Sequence, residues 1–207
     1  MHYGMVIDLQ RCVGCGACSM ACKQVHGTPP GIWWSKVLHG ESGKYPNSHI
    51  TLLPTLCMHC VNPPCKKACP TGATYQRPDG IVLVDNDKCI GCRYCMTACP
   101  YVARSFNWRA EGSYFGELGP MPNEKLLSSE HPLGVVEKCT FCAERLEVNL
   151  QPACVATCPA KARIFGDLDD PNSEVSMLLT TGRDYQISPE LGTNPSVYYL
   201  SASRERV

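Results

Sequence analysis

Four cysteines at the spacing C-x2-C-x2-C-x3-C, followed by a proline, occupy the stretch Cys89-Ile90-Gly91-Cys92-Arg93-Tyr94-Cys95-Met96-Thr97-Ala98-Cys99-Pro100. The same spacing occurs near the start of the chain, at Cys12, Cys15, Cys18 and Cys22, where Lys23 takes the place of the proline. A second group, spaced C-x2-C-x4-C-x3-C, consists of Cys57, Cys60, Cys65 and Cys69. A fourth, spaced C-x2-C-x11-C-x3-C, consists of Cys139, Cys142, Cys154 and Cys158. These groups account for all 16 cysteines of the chain.

The remaining composition offers little apolar material for a core. Hydrophobic residues make up 44% of the 207 residues, but this figure includes the 16 cysteines. Leu, Ile, Val and Phe together form about a fifth of the chain, close to the fraction at which apolar burial alone fails to fold a protein. The 19 basic and 19 acidic side chains cancel, which argues against binding nucleic acid or a membrane surface through bulk charge. Disulfides or metal centres must therefore supply stability.

The spacing favours iron–sulfur clusters over both alternatives. Cysteines three residues apart in a tight turn are poorly placed to bridge one another, and no secretory signal is visible at the start of the chain. Structural zinc sites use two C-x2-C pairs, usually a dozen or more residues apart. Here three thiols lie within seven residues, twice, and the fourth follows on a short helix. This run is the bacterial ferredoxin pattern, in which the last cysteine binds the other cluster.

Exchange of the fourth ligand predicts four [4Fe–4S] clusters with defined ligand sets. The second and third groups are close in sequence and form one pair, so the first and fourth must form the other. The predicted sets are Cys12, Cys15, Cys18 and Cys158 for cluster 1; Cys57, Cys60, Cys65 and Cys99 for cluster 2; Cys69, Cys89, Cys92 and Cys95 for cluster 3; and Cys22, Cys139, Cys142 and Cys154 for cluster 4. We expect no catalytic residues in this chain.

Other residues around the ligands have more than one interpretation. His59 is expected to be a turn residue or a hydrogen-bond donor near a cluster rather than a ligand. Seven basic residues adjoin ligands in sequence and either raise cluster potentials or are ordinary solvated charges; they are Lys23, Lys66, Lys67, Lys88, Arg93, Lys138 and Arg145. Trp33, Trp34, Tyr198 and Tyr199 either pack locally or belong to an interface with a larger protein.

We predict an α+β fold made of two ferredoxin-like modules, one inserted in the other, with short β-hairpins and helices and long partner-binding loops. The outer module comprises residues 1–56 plus 100–166, the inserted module residues 57–99, and a C-terminal extension residues 167–207. Extended segments are expected at 5–9, 73–76, 81–85, 104–108, 134–138, 163–165 and 196–200. Helices are expected at 17–25, 64–68, 94–98, 141–148, 152–157 and from 172 or 173 to about 180. Residues 109–133 show no clear periodicity.

Two further motifs point to a known family. Gly4-Met5-Val6-Ile7-Asp8-Leu9 precedes the first ligand loop, and Gly166-Asp167-Leu168-Asp169-Asp170-Pro171 follows the fourth. With the four cysteine groups in this order, the chain resembles the four-cluster iron–sulfur subunits of the dimethyl sulfoxide reductase family of molybdopterin oxidoreductases. The family includes polysulfide and respiratory arsenate reductases and catechol dehydroxylases. The resemblance implies the same four ligand sets and places cluster 1 nearest the catalytic subunit.

The function implied is electron transfer to or from a catalytic subunit that carries a molybdenum or tungsten bis-molybdopterin cofactor. The C-terminal extension is expected to dock on that subunit, and a membrane anchor subunit or another electron donor is a further possible partner. A free-standing soluble polyferredoxin is the alternative. The sequence leaves the substrate, the direction of electron flow and the localisation open. The absence of an export signal at Met1-His2-Tyr3 fits either a cytoplasmic complex or co-export with a partner that carries a twin-arginine signal.

Overall fold

The computed structural model describes residues 1–108, 113–127 and 131–201. Its helices are short, apart from the first: α1 Ala17–His26, α2 Pro64–Lys67, α3 Tyr94–Thr97, α4 Pro122–Leu127, α5 Ala143–Leu146, α6 Ala153–Ala156 and α7 Glu174–Leu179. The strands are β1 Tyr3–Asp8, β2 Ser35–Ser42, β3 His49–Leu56, β4 Thr74–Gln76, β5 Val82–Val84, β6 Ser105–Phe106, β7 Val136–Glu137, β8 Arg163–Asp167, β9 Asp184–Tyr185 and β10 Val197–Leu200. Two 3-10 turns span Gly116–Leu118 and Pro189–Leu191.

The largest sheet joins the two ends of the chain. Its strand order is β8-β1-β10-β9, with β1 antiparallel to β8 and parallel to β10. The strand before the first ligand loop therefore pairs with the strand after the fourth. Met5, Ile7 and Tyr199 are completely buried in this sheet, because the ligand loops cover the face on which they lie. The sheet thus holds the first and fourth groups together although more than 100 residues separate them.

Three two-stranded sheets complete the β structure of the described residues: β2 with β3, β4 with β5, and β6 with β7. The β4–β5 hairpin links the second and third ligand loops, as expected from the sequence. The β6–β7 pair likewise joins the strand after the third group to the strand before the fourth. The strands expected beside the ligand loops are confirmed, and three pairings, β1–β8, β4–β5 and β6–β7, connect strands that flank different groups.

Several local predictions need correction. The helix expected at 141–148 is limited to Ala143–Leu146, because Phe141 and Cys142 both have positive φ angles. The β2–β3 hairpin was not expected at all. The stretch 109–133 contains a 3-10 turn and α4, while its residues 109–112 and 128–130 lie outside the described ranges. The C-terminal helix is confirmed as Glu174–Leu179, where the Ser173 side chain accepts a hydrogen bond from the Ser176 N–H.

The structure shows a mixed α+β fold of small helices and strands arranged around the ligand loops. The C-terminal strand β10 lies between β1 and β9, so residues up to Leu200 belong to the main sheet. In the part of the chain that the structure describes, no helix has the length and apolar character required to traverse a lipid bilayer.

Candidate metal centres

One cavity lies between the first ligand loop and the turn after α6. Its lining includes four thiols, those of Cys12, Cys15, Cys18 and Cys158. Three of them come from one compact loop and the fourth from a segment about 140 residues later. Gly14 turns this loop at a φ of 69°, and a Cβ there would approach Leu52 Cδ2 of β3 to 2.8 Å. The β2–β3 hairpin therefore packs directly on the loop, which only glycine permits at this position.

Two further cavities follow the same design with thiols of the second and third groups. One is lined by Cys57, Cys60, Cys65 and Cys99, and the other by Cys69, Cys89, Cys92 and Cys95. Each takes three thiols from one group and one from the other, so the last cysteine of each group faces its partner's cavity.

The remaining four thiols, of Cys22, Cys139, Cys142 and Cys154, are all buried. Burial raises the pKa of the Cys139 thiol well above its ordinary value, and the charges of the other three thiols raise it further. His26 Nε2 lies 3.2 Å from Cys142 Sγ, and its Nδ1 lies 3.3 Å from a Glu144 carboxylate oxygen. His26, Cys142 and Glu144 could form a metal-binding trio, but this trio shares a thiol with the set of four and is therefore part of the same site.

The chemistry of these donors fits metal centres. All 16 cysteines are free, and each belongs to a set of four thiols. Burial and the charge of Cys57 raise the pKa of Cys60 to about 12, and burial raises the pKa of Cys142 to about 12. Thiols in these surroundings would remain protonated at neutral pH, whereas the metal ligand is the thiolate. Bound cations would supply the positive charge that four close thiolates need.

The four sets of thiols follow one another in a row. Three thiols have a pKa that is raised mainly by burial and further by the charge of a sulfur in a neighbouring set: Cys154 by Cys18, Cys139 by Cys57, and Cys95 by Cys65. The order of the sets along the row is therefore first, fourth, second and third.

The two ends of this row differ from its middle in exposure. Among the 16 cysteines only Cys15 and Cys92 are exposed, one from the first set and one from the third. An exposed apolar residue precedes each by two positions, Val13 at 66% before Cys15 and Ile90 at 67% before Cys92. The thiols of the fourth set, in the middle of the row, are all buried. The row thus approaches the protein surface at its two ends.

Four buried cations lie near the thiols, and two of them, Lys23 and Lys138, adjoin a cysteine in sequence. Lys138, Arg104 and Arg163 expose 2%, 5% and 3% of their surface. The two arginines were not singled out in the sequence analysis. A repeat would have revealed them, since both stand five residues after a cysteine, in Cys99-Pro100-Tyr101-Val102-Ala103-Arg104 and Cys158-Pro159-Ala160-Lys161-Ala162-Arg163.

His59, Tyr199 and Trp34, which had more than one interpretation, pack locally. His59 is fully buried, its Nδ1 accepts the Val82 N–H at 3.1 Å, and its ring stacks on Phe141. Burial lowers the pKa of His59 well below its ordinary range, so the ring is neutral and its Nε2 carries the proton. The Tyr199 hydroxyl donates to the Pro54 carbonyl at 2.8 Å. Trp34 packs between His26 and His131.

Lys23, which replaces the proline of the other groups, joins α1 to the following loop. Its ammonium donates to the carbonyls of Thr28, Pro29 and Ile32. The same ammonium lies 4.4 Å from the centre of the Trp33 ring, a cation–π contact. Trp33 therefore packs against this chain itself, and Lys23 connects helix α1 to the loop that follows it.

Each set combines three thiols from one ferredoxin-type loop with one thiol from another group. This arrangement places the protein in the class of [4Fe–4S] proteins. Comparison with known families agrees, because a model described as a 4Fe-4S dicluster domain matches residues 48–113 and 121–168. A second model, a 4Fe-4S binding domain, matches residues 3–24.

Relatives that match nearly the whole of this chain identify one family within this class. A Halobacterium salinarum protein named as an iron-sulfur subunit of dimethyl sulfoxide reductase is 50% identical over 97% of this chain and 79% of its own length. The arsenate respiratory reductase iron-sulfur subunit ArrB of Shewanella sp. is 44% identical over 97% of this chain and 96% of its own. A selenate reductase subunit of Mesobacillus selenatarsenatis is 45% identical, covering 95% and 71%. The chain belongs to this family of iron–sulfur subunits of reductases, and it is an electron-transfer protein whose cofactors are [4Fe–4S] clusters.

Proposed function

We propose that this chain relays single electrons through four [4Fe–4S] clusters held by the four thiol sets predicted from the sequence. Cluster 1 would be held by Cys12, Cys15, Cys18 and Cys158; cluster 2 by Cys57, Cys60, Cys65 and Cys99; cluster 3 by Cys69, Cys89, Cys92 and Cys95; and cluster 4 by Cys22, Cys139, Cys142 and Cys154. The observation that carries the proposal is the sharing of thiols between loops, since three cavities each combine three thiols of one group with one of another. When bound, the clusters supply one-electron redox chemistry with little change of shape.

The polypeptide holds the ligands in place and restricts water. Backbone N–H groups donate to ligand sulfurs at 3.3–3.4 Å, from Thr74 to Cys69, from Ala153 to Cys142 and from Ala162 to Cys158. Such hydrogen bonds to sulfur stabilise negative charge and tune reduction potentials. The apolar side chains of Met58 and Phe141 pack in one buried cluster with cysteines of the second and fourth sets and are almost entirely buried there.

Two modules with exchanged ligands account for this arrangement. In this proposal residues 57–99 form a module inserted into an outer one made of residues 1–56 and 100–166. The pairing of β1 with β8 supports the outer module, because it brings the first and fourth groups together. The β4–β5 pairing supports the inserted one. The segment 167–207 would be attached through β10 and offer its outer side, including the half-exposed Met177 and Leu191, to a partner.

The partner at one end would be a catalytic subunit with a molybdenum or tungsten bis-molybdopterin cofactor. The names of the relatives support this, since they are subunits of reductases for dimethyl sulfoxide, arsenate and selenate. The catalytic subunit would dock where cluster 1 approaches the surface at Cys15. The opposite end, at Cys92, would face a second redox partner, either a membrane anchor subunit or another electron donor or acceptor. The row of thiols then connects the two docking surfaces.

Isolation of the protein at its native expression level, under anaerobic conditions, tests the proposal. We expect about 16 irons per chain, because four clusters of four irons are proposed. We also expect reducible paramagnetic centres after addition of dithionite, and a large molybdenum- or tungsten-containing subunit in the same fractions. Zinc in place of iron would refute the clusters. An iron-loaded chain that is stable as a monomer without such a subunit would instead favour the soluble polyferredoxin.

A further inference from the structure

Three positively charged side chains, of Arg163, Lys138 and Arg104, lie deep in the protein without a carboxylate beside them. Among the described residues none of the three forms a salt bridge with Asp or Glu, and the groups that favour their charged forms are cysteine thiols. An isolated buried charge is strongly unfavourable unless a counter-charge is present. The geometry therefore implies negative charge at the thiol sets on either side of each cation.

Arg163 lies between the first and the fourth sets. It lines the cavity of Cys12, Cys15, Cys18 and Cys158. The charges that act on its guanidinium are chiefly those of Cys154, in the fourth set, and Cys18, in the first. Neither terminal nitrogen of Arg163 finds a hydrogen-bond partner among the described residues, so both remain available to acceptors in the sites.

Arg104 has the equivalent position between the second and the third sets. It lines the cavity of Cys57, Cys60, Cys65 and Cys99. Its Nη1 donates to Thr74 Oγ1 at 3.2 Å, and Thr74 lines the cavity of the third set. Cys65 of the second set and Cys95 of the third are the main charges acting on its guanidinium. Thus each arginine of the Cys-Pro repeat separates two sets.

Lys138 closes the remaining gap, between the fourth and the second sets. Its ammonium donates to the carbonyl oxygens of Val82 and, at 2.8 Å, of Cys139. Burial lowers the pKa of Lys138 and the Arg104 guanidinium adds to this, whereas the charges of Cys57 in the second set and Cys139 in the fourth oppose it. A buried cation therefore lies at every junction of the row.

We propose that Arg163, Lys138 and Arg104 form a chain of buried cations, each of which raises the reduction potentials of the two clusters that it separates. This inference rests on the proposed function, because it takes the four thiol sets as cluster ligands. One-electron reduction changes a cluster with four thiolates from a net charge of about −2 to about −3, with no bond formed or broken. A nearby fixed positive charge favours the more negative state, and it does so strongly where water is excluded.

The position of the cations at the junctions has a consequence for the relay. An electron that moves from one cluster to the next remains beside the same cation, so its electrostatic stabilisation changes little along the step. With four clusters of charge about −2 in a small protein, three buried cations also reduce the repulsion between clusters. The chain of cations would thus keep the reduction potentials of neighbouring clusters close to one another.

Substitution of each cation by glutamine, followed by an EPR-monitored redox titration of the intact complex, tests the proposal. Each of Arg163→Gln, Lys138→Gln and Arg104→Gln should lower the reduction equilibrium constant of two clusters by about tenfold, or about 59 mV for a one-electron couple. The Arg163 and Lys138 variants should share one shifted cluster, and the Lys138 and Arg104 variants another. The two arginine variants should share none.

Matched variants separate the effect of charge from that of structure. Lys88→Gln is the control, because Lys88 adjoins Cys89 as Lys138 adjoins Cys139, but its side chain is 65% exposed and paired with Asp85. The cluster reduction potentials of this variant should not shift. Arg163→Lys and Arg104→Lys keep the positive charge, so the clusters beside each residue should keep reduction potentials close to those of the wild type. Iron analysis accompanies each titration. If one variant loads fewer than about 16 irons, the other two variants can still be compared to see whether they shift the expected clusters.

Unchanged potentials in fully loaded variants would overturn the chain of cations while leaving the proposed function intact. Equal shifts of all four clusters in every variant would overturn it as well, since they would indicate a change of overall charge rather than a local one. A wild-type chain without about 16 irons would instead refute the proposed function itself.

Discussion

The inner region, residues 57–99, and the outer region, residues 1–56 with 100–166, hold their thiols in different ways. In the outer region strands β1 and β8 position the ligand loops in a four-stranded sheet that the C-terminal strands β9 and β10 complete, and Met5, Val6 and Ile7 of β1 are fully buried. The inner region has only the β4–β5 hairpin, with strands of three residues each. Met58 and Ile81 join the main core, but around the second and third sets the separate buried cluster consists only of Cys65 and Cys95 with Val82 and with Val136 of the outer region. The comparison indicates that metal binding contributes more to the stability of the inner region.

Removal of iron by a chelator should therefore affect the two regions unequally. We expect the backbone amides of the inner region to lose nearly all protection from hydrogen exchange, because too little apolar surface remains to hold its loops. The sheet strand β1 should retain part of its protection. Hydrogen exchange measured by mass spectrometry, with peptides that cover Val82–Val84 and Tyr3–Asp8, gives the comparison. Equal loss in both regions would show that the sheet depends on the clusters as much as the hairpin does.

The same cysteine spacing also leads to different helices in the first and third ligand loops. α1 has 10 residues and continues past Cys22 to His26, whereas α3 has four and ends before Cys99. Pro100 explains the early end of α3, since the residue before a proline is disfavoured in the helical conformation. Lys23 has no such restriction, and its bonds to the following loop stabilise the longer helix.

A smaller effect is expected where the C-terminal strand contacts the β2–β3 hairpin. The Tyr199 hydroxyl donates to the Pro54 carbonyl at 2.8 Å, and Tyr199 is fully buried. Tyr199→Phe removes this hydrogen bond and should lower the free energy of unfolding by about 1 kcal/mol. Thermal unfolding of the iron-loaded protein measures the change. Tyr185→Phe is the control, since its side chain is 41% exposed and the loss should be close to zero. An equal loss in both variants would contradict the role of the bond.

The ligand loops were well predicted from the sequence because cysteine spacing and the following proline act locally. The short helices α2, α3 and α6 begin and end within one residue of their predicted limits. Local signals do not report pairing between distant segments, and the parallel contact of β1 with β10 was therefore not predicted. The family resemblance and the electron-transfer function were also inferred correctly from the four cysteine groups and the motifs around them.

Two features escaped prediction for identifiable physical reasons. The β2–β3 hairpin is mostly exposed and carries Pro54 within its second strand, so it lacks the alternation of apolar and polar residues that marks a half-buried strand. Arg104 and Arg163 were missed because the repeat that marks them, an arginine five residues after the last cysteine of a group, does not show that the side chain is buried. Only the three-dimensional position of each arginine between two sets of thiols shows what its charge faces.

The exchange of ligands across the outer region can be tested by comparing three cysteine variants in the EPR spectrum of the reduced protein. Cys22→Ser and Cys139→Ser should alter the same cluster signal, although more than 100 residues separate these positions. Cys22→Ser and Cys18→Ser, only four positions apart, should alter different signals. If Cys22→Ser and Cys18→Ser instead changed one and the same signal, each group would bind its own cluster and the exchanged ligand sets would be wrong.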